Sequence, residues 1–285
     1  MTRLRMFENG TFFLASIGWL ALTACSGCNG KHDAETSRPL LHSSNAPSTV
    51  FLATNAPGPN TFSSPGSNPA LPAGISGKII LKGTPPPEKN ISLTSDCGPL
   101  HPRNLQTRFY VIGENGALAD VFVYIKDGLS GKTFDPPVEP VLLDQAGCEY
   151  TPYVVGLQTK QKLLVRNSDP MMHNVHVIPK ADGNKEANKA QMPKSKELVF
   201  GFDNPEIFVT FKCDVHPWMF TYVGVVDHPF FAVSGKDGKF ILKNVPDGKY
   251  LIEAVHRKAG RQTKEITVGA GKSEPVEFVL EVTGQ

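Results

Sequence analysis

"EIFVTFKCDVHPWMF", residues 206–220, changes character halfway along. Up to Cys213 apolar and polar side chains alternate with the period of a half-buried strand. That places Ile207, Val209, Phe211 and Cys213 on one face and aims the cysteine at the core from the strand's end. The loop beyond it supplies His216 and Met219. Taken singly, a strand cysteine is a small core residue, a histidine a satisfied polar group and a methionine a packing residue. Taken together, a thiolate, an imidazole and a thioether are the donors that favour copper, whereas structural zinc takes four Cys or His ligands.

The strand pattern extends in both directions. From Gly74 onward short runs rich in valine, isoleucine and phenylalanine are punctuated by Gly, Pro, Asn-Gly and Asp-Gly, as in "GKIILKG", "VFVYIKDG", "KLLVRNSD" and "HNVHVI". Only the lysine-rich "KEANKAQ", residues 185–191, has a helical period. The expected fold class is therefore all-β, a Greek-key sandwich or barrel. A further β unit follows near residue 230, with tight turns at Asp237-Gly238 and Asp247-Gly248.

Upstream the composition is different. Arg3 and Arg5 precede "TFFLASIGWLALTA", Thr11 to Ala24, a stretch short for a bilayer span but suited to a secretory signal. From Gly30 to about Pro72 serine, proline, asparagine and glycine dominate, which reads as a disordered tether. With 285 residues and 40% hydrophobic side chains, the remainder is enough for two packed domains. A net charge of +2, with lysine and arginine spread along the chain, gives no concentrated basic face and excludes nucleic acid as a partner. No Ser-His-Asp arrangement, HExxH or phosphate-cradling glycine loop is present, so the chain is not expected to be an enzyme. "CSGC", Cys25 to Cys28, has redox spacing but neither a following histidine nor a βαβ setting.

The copper reading needs one more ligand, and "NSDPMMHNVHV" offers His173 and His176 at the mouth of another strand. The gap to Cys213 leaves room for intervening strands to bring both ends to one pole. Cys97 and Cys148 each lie near a turn in a chain marked for export, and a disulfide between them is expected. The competing use of Cys97, with His101, is a second metal site. The segment 179–197 carries five lysines and reads as a solvated insertion between strands, with docking of an acidic redox partner as the alternative.

"NSDPMMHN" followed by "CDVHPWM" resembles the type 1 copper proteins, the amicyanin- and plastocyanin-like cupredoxins, and most of all the amicyanin-like branch with its short Cys-x-x-His-x-x-Met spacing. The resemblance implies one type 1 copper ion, with His173, Cys213 and His216 equatorial and Met219 axial, and Asn174 bracing the ligand loop. Trp218 and Pro217 would form an apolar rim near His216, and His176 is the alternative to His173. "DGKFILKNVPDGKYLIEA" resembles the carboxypeptidase regulatory-like (transthyretin-like) β-sandwich, and "GISGKIILKGTPPP" resembles the opening strand of that module. The combination resembles proteins labelled methylamine utilisation proteins. "LTAC", ending at Cys25, resembles the bacterial lipobox and implies a lipid on that cysteine; Ser26 after it favours the outer membrane.

The expected organisation is thus a signal over 1–24, a tether over 25–72 and an N-terminal β segment over 73–104 that pairs with the C-terminal unit. A cupredoxin domain over 105–229 and a regulatory-like sandwich over 230–285 follow. The expected function is that of a lipid-anchored one-electron carrier facing the periplasm and serving redox proteins there. A copper carrier or sensor that also uses Met171, Met172 and His176, and a cell-envelope scaffold or carbohydrate-binding-like protein, are the alternatives.

Overall fold

The computed structural model describes residues 74–270 and 273–282. The expected signal, the tether and Cys25 lie outside the described residues. The described strands are β1 (Gly74–Lys82), β2 (Phe122–Asp127), β3 (Val141–Gln145), β4 (Tyr150–Thr151), β5 (Val154–Gln158), β6 (Leu163–Asn167), β7 (His173–Ile178) and β8 (Ala187–Gln191). They continue with β9 (Leu198–Phe200), β10 (Glu206–Lys212), β11 (Phe220–Val226), β12 (Phe231–Val233), β13 (Lys239–Lys243), β14 (Gly248–His256), β15 (Gly260–Val268) and β16 (Val276–Glu281). The fold is all-β.

Two pairs of sheets divide these strands. One pair has the orders β4-β3-β6-β9 and β5-β11-β10-β7-β8, and encloses Leu143, Val165, Val175, Val209, Phe211 and Cys213. The other has the orders β13-β1-β16 and β12-β2-β14-β15, around Ile75, Ile79, Phe240, Ile252 and Phe278. The strands follow from side-chain alternation: β13 buries Phe240 and Leu242 and exposes Lys239, Ile241 and Lys243.

β1 is the centre of its sheet, antiparallel to β13 and parallel to β16. β2, expected inside the 105–229 unit, instead pairs antiparallel with β12 and β14. The second sandwich is therefore assembled from both sides of the first in sequence, with Val123 and Ile125 of β2 buried in its core. A third cluster, around Phe122, Tyr153, Val154 and Val226, joins side chains from both pairs of sheets. The cross-strand partners Gly156 and Gly224 make room for it. A Cβ on Gly224 would stand 2.7 Å from the Phe122 ring, and one on Gly156 would overlap Phe231.

Two local expectations are corrected. Residues 187–191 are a strand and not a helical turn, since β8 pairs along the whole of its length with β7. Pairing outweighs the helical propensity of so short a segment. Ile207 does not share the face of Val209, Phe211 and Cys213. The register of β10 against β11 shifts between Ile207 and Val209, with Phe208 at φ 70°, and this bulge turns Ile207 toward the third cluster.

Ile79 of β1 is fully buried, so Ile79→Ala is expected to lower the unfolding free energy by about 2–5 kcal/mol. Ile241→Ala, at a side chain 41% exposed, should shift it by about 0.5 kcal/mol or less. Urea denaturation of the two variants checks the placement of β1 as a central strand; equal effects would contradict it.

Candidate metal centre

β7 and β10 lie side by side and antiparallel, with Lys212 opposite His176 and Phe211 opposite Val177. Continued by one residue, this register brings Cys213 opposite Val175, and His173, two positions from Val175, shares its face of β7. The chain after Cys213 turns back as a tight loop. Cys213 N–H donates to the Met219 carbonyl at 3.0 Å, and Met219 N–H donates to the His216 carbonyl at 2.9 Å, before β11 begins.

The donors converge. His173 Nδ1 and His216 Nδ1 face each other at 2.9 Å, and Cys213 Sγ lies 3.7 Å from His216 Nδ1. Ligand atoms of His173, Cys213 and His216 all fall within 4.8 Å of one another. His173 is fully buried, and Cys213, His216 and Met219 are each 1% exposed. Met219 packs in the same buried cluster as Cys213. His176 stands apart: its Nδ1 is 2.9 Å from Asp214 Oδ2 and its Nε2 3.0 Å from Glu186 Oε1. Being an odd number of positions from His173, it points to the opposite face of β7.

Each donor is held by a second layer. Asp169 Oδ2 lies 2.9 Å from His173 Nε2; taking the proton there leaves the Nδ1 lone pair for a metal. Asn174 donates its N–H to Cys213 Sγ at 3.4 Å, and its Oδ1 accepts from the Asp214 N–H. The Asn174 amide thus ties β7 to the ligand loop. The Tyr150 hydroxyl donates to the Asn174 carbonyl at 3.0 Å, and burial raises its pKa. Trp218 packs against the His216 ring, with centroids 5.4 Å apart, and its indole N–H donates to the Cys148 carbonyl at 3.0 Å.

Charge in the cluster follows from these contacts. Burial opposes the charged form of His173, but hydrogen bonding to Asp169 and Cys213 outweighs it and pushes the imidazole up to about 9. Burial likewise raises the Cys213 thiol, yet hydrogen bonds from His173 and from backbone N–H groups more than offset that and bring it down to about 6. Both shifts favour the thiolate of Cys213. The sulfur is already in the form that binds a metal.

Cys97 and Cys148 are joined, with S–S 1.98 Å. Sequence reasoning gave no hint of where this bridge would lie. Cys97, Cys148 and His216 have ligand atoms within 4.8 Å of one another, as do Cys148, Asp169 and His173, so the bridge is packed against both imidazoles. With it comes Asp96, whose Oδ2 is 3.6 Å from His216 Nε2. Beside His216, which is itself covered, Pro217 is exposed and Trp218 half-buried. The second metal site at Cys97 and His101 is not formed, since Cys97 is in the bridge and His101 Nε2 bonds to the Gly147 carbonyl. Asp169 was also missed; its signal is the turn "NSDP", four residues ahead of His173.

No protein-family model matches the chain, and no curated protein matches it. Among solved structures, the chain is similar to a methionine-to-alanine variant of amicyanin in its Cu(I) form, at 17% identity and a TM-score of 0.28, covering 36% of this chain and 97% of that one. It is also similar to the copper-containing nitrite reductase NirK of Thermus scotoductus SA-01, at 18% identity and a TM-score of 0.28, covering 34% of this chain and 24% of that one.

Asp169→Asn, which removes the charge behind His173, is expected to weaken metal binding by roughly 10- to 100-fold in a chelator competition, while His176→Ala leaves it unchanged. A larger loss from His176→Ala would contradict the assignment of the ligand face.

Proposed function

We propose that the chain is a one-electron carrier with a type 1 copper site, which His173 Nδ1, His216 Nδ1 and the Cys213 thiolate would hold together with the Met219 thioether. The observation that carries this reading is the convergence of two imidazole Nδ1 atoms and a thiol inside a water-excluded core. One thiolate and two imidazoles with an axial thioether are the donor set of blue-copper electron-transfer sites. Copper bound there would supply a metal centre that takes up and gives back one electron.

The rest is the work of this chain's residues. Asp169 holds the His173 ring, the Asn174 N–H and amide fix Cys213 and the loop, and two backbone bonds between Cys213, His216 and Met219 keep the donors at fixed spacing. A cage so braced from behind changes little when the charge at its centre changes by one. That is what a carrier needs. A copper chaperone would be expected to keep mobile sulfur donors near the site. Here the Met171 sulfur lies 3.9 Å from Cys148 Sγ, against the disulfide.

In this reading the chain is exported and carries a lipid on Cys25 in the cell envelope, serving not as an enzyme but as a shuttle between periplasmic redox proteins. The leader and the "LTAC" stretch support the export, and the solvated lysines of 179–197 are a contact surface for an acidic partner.

The test is optical. The Cu(II)-loaded chain is expected to show an intense visible thiolate-to-copper charge-transfer band that Cys213→Ser abolishes without unfolding the protein. A folded, copper-loaded wild type lacking that band would refute the proposal.

A further inference from the structure

Against the loop that carries Met219 lies a cavity of about 430 Å³, within the size range of small-molecule sites. Its walls are largely aromatic and apolar: Phe109 ahead of β2, Tyr153 ahead of β5, Trp218 and Met219 from the ligand loop, and Phe220 at the start of β11. Into this setting Arg257, the residue after β14, brings a guanidinium.

Aromatic rings hold that guanidinium in place. Its central carbon is 4.6 Å from the centroid of Phe220, 5.0 Å from that of Tyr222 and 5.8 Å from that of Phe109. Among the described residues its one side-chain hydrogen bond goes to a neutral group, from Nη1 to the Tyr153 hydroxyl at 2.6 Å. An arginine carries five N–H donors in a planar fork, so donors remain for a carboxylate. Arg108, also on the wall, is engaged differently, in an ion pair with Asp120 at 3.0 Å. Glu149 is the one carboxylate lining the cavity among the described residues, and with Arg108 held by Asp120, Arg257 is the lining cation that no carboxylate engages among them.

We propose that this cavity binds a small aromatic carboxylate, with its ring among Tyr153, Trp218 and Phe220 and its carboxylate on Arg257. Flat apolar walls select an aromatic body, and a pre-positioned guanidinium selects a planar anion over an alcohol or a cation. Binding needs no metal, although the bound ring stands beside Met219.

Trp218 reports occupancy directly. In the full chain carrying Trp19→Phe, benzoate is expected to change Trp218 fluorescence saturably in the millimolar range or below, and benzyl alcohol, of the same shape without the charge, far less. Arg257→Gln should weaken benzoate binding by roughly tenfold or more, the size of a lost charge-assisted pair, with Arg257→Lys restoring only part. Thermal melts of both variants report whether the sandwich is intact. If Arg257→Gln does not fold, the comparison of benzoate with benzyl alcohol on the parent chain decides alone. An unsaturable benzoate response, an equal response to benzyl alcohol, or benzoate binding indifferent to a folded Arg257→Gln would overturn the proposal.

Discussion

A carboxylate withdrawn from water must be matched by donors, and Asp169, 5% exposed, is matched by three. Its Oδ1 accepts from the Gly147 N–H at 2.6 Å, while its Oδ2 accepts from the Cys148 N–H at 2.7 Å and meets His173 Nε2 at 2.9 Å. Burial works to raise its pKa, and the bonds from His173, Cys148 and Gly147 prevail and lower it. One side chain therefore fixes three things at once: the turn that carries the disulfide, the orientation of the His173 ring, and the ring nitrogen that stays free. The remaining donors are aligned to a ring that is already immobile.

The ligand loop is shaped by the same economy of movement. β10 and β11 pair up to Lys212 and Phe220, and the intervening residues close on themselves through the bonds of Cys213, His216 and Met219. The disulfide, Asp96 and Trp218 then cover His216. A site so enclosed keeps its sulfur from adventitious oxidants and gives its charges few water molecules to reorganise. Met219 and Trp218 also line the apolar cavity.

The donor types and their spacing were legible in the sequence because a strand followed by a tight loop places Cys213, His216 and Met219 by local geometry alone. The choice of His173 over His176 rested on the resemblance alone: both sit in one strand, and the pairing of β7 with β10 decides which faces Cys213. Pairing of that kind is non-local. So are the membership of β2 in the second sandwich, the strand at 187–191 and the packing of the disulfide against both imidazoles. The bulge at Phe208 is local but silent, since phenylalanine gives no sign of the positive φ it adopts. Its register shift left Val209, Phe211 and Cys213 in phase, and so the reading of the ligand strand survived it.

The central claim is that one sulfur and two imidazole nitrogens of this chain form a copper centre. X-ray absorption at the copper edge of the loaded full-length chain measures that shell directly. The account predicts one short copper–sulfur contact and two imidazole nitrogens, with the sulfur contact absent in Cys213→Ser. A shell of nitrogen and oxygen alone in the wild type, or a sulfur contact that survives Cys213→Ser, would contradict it.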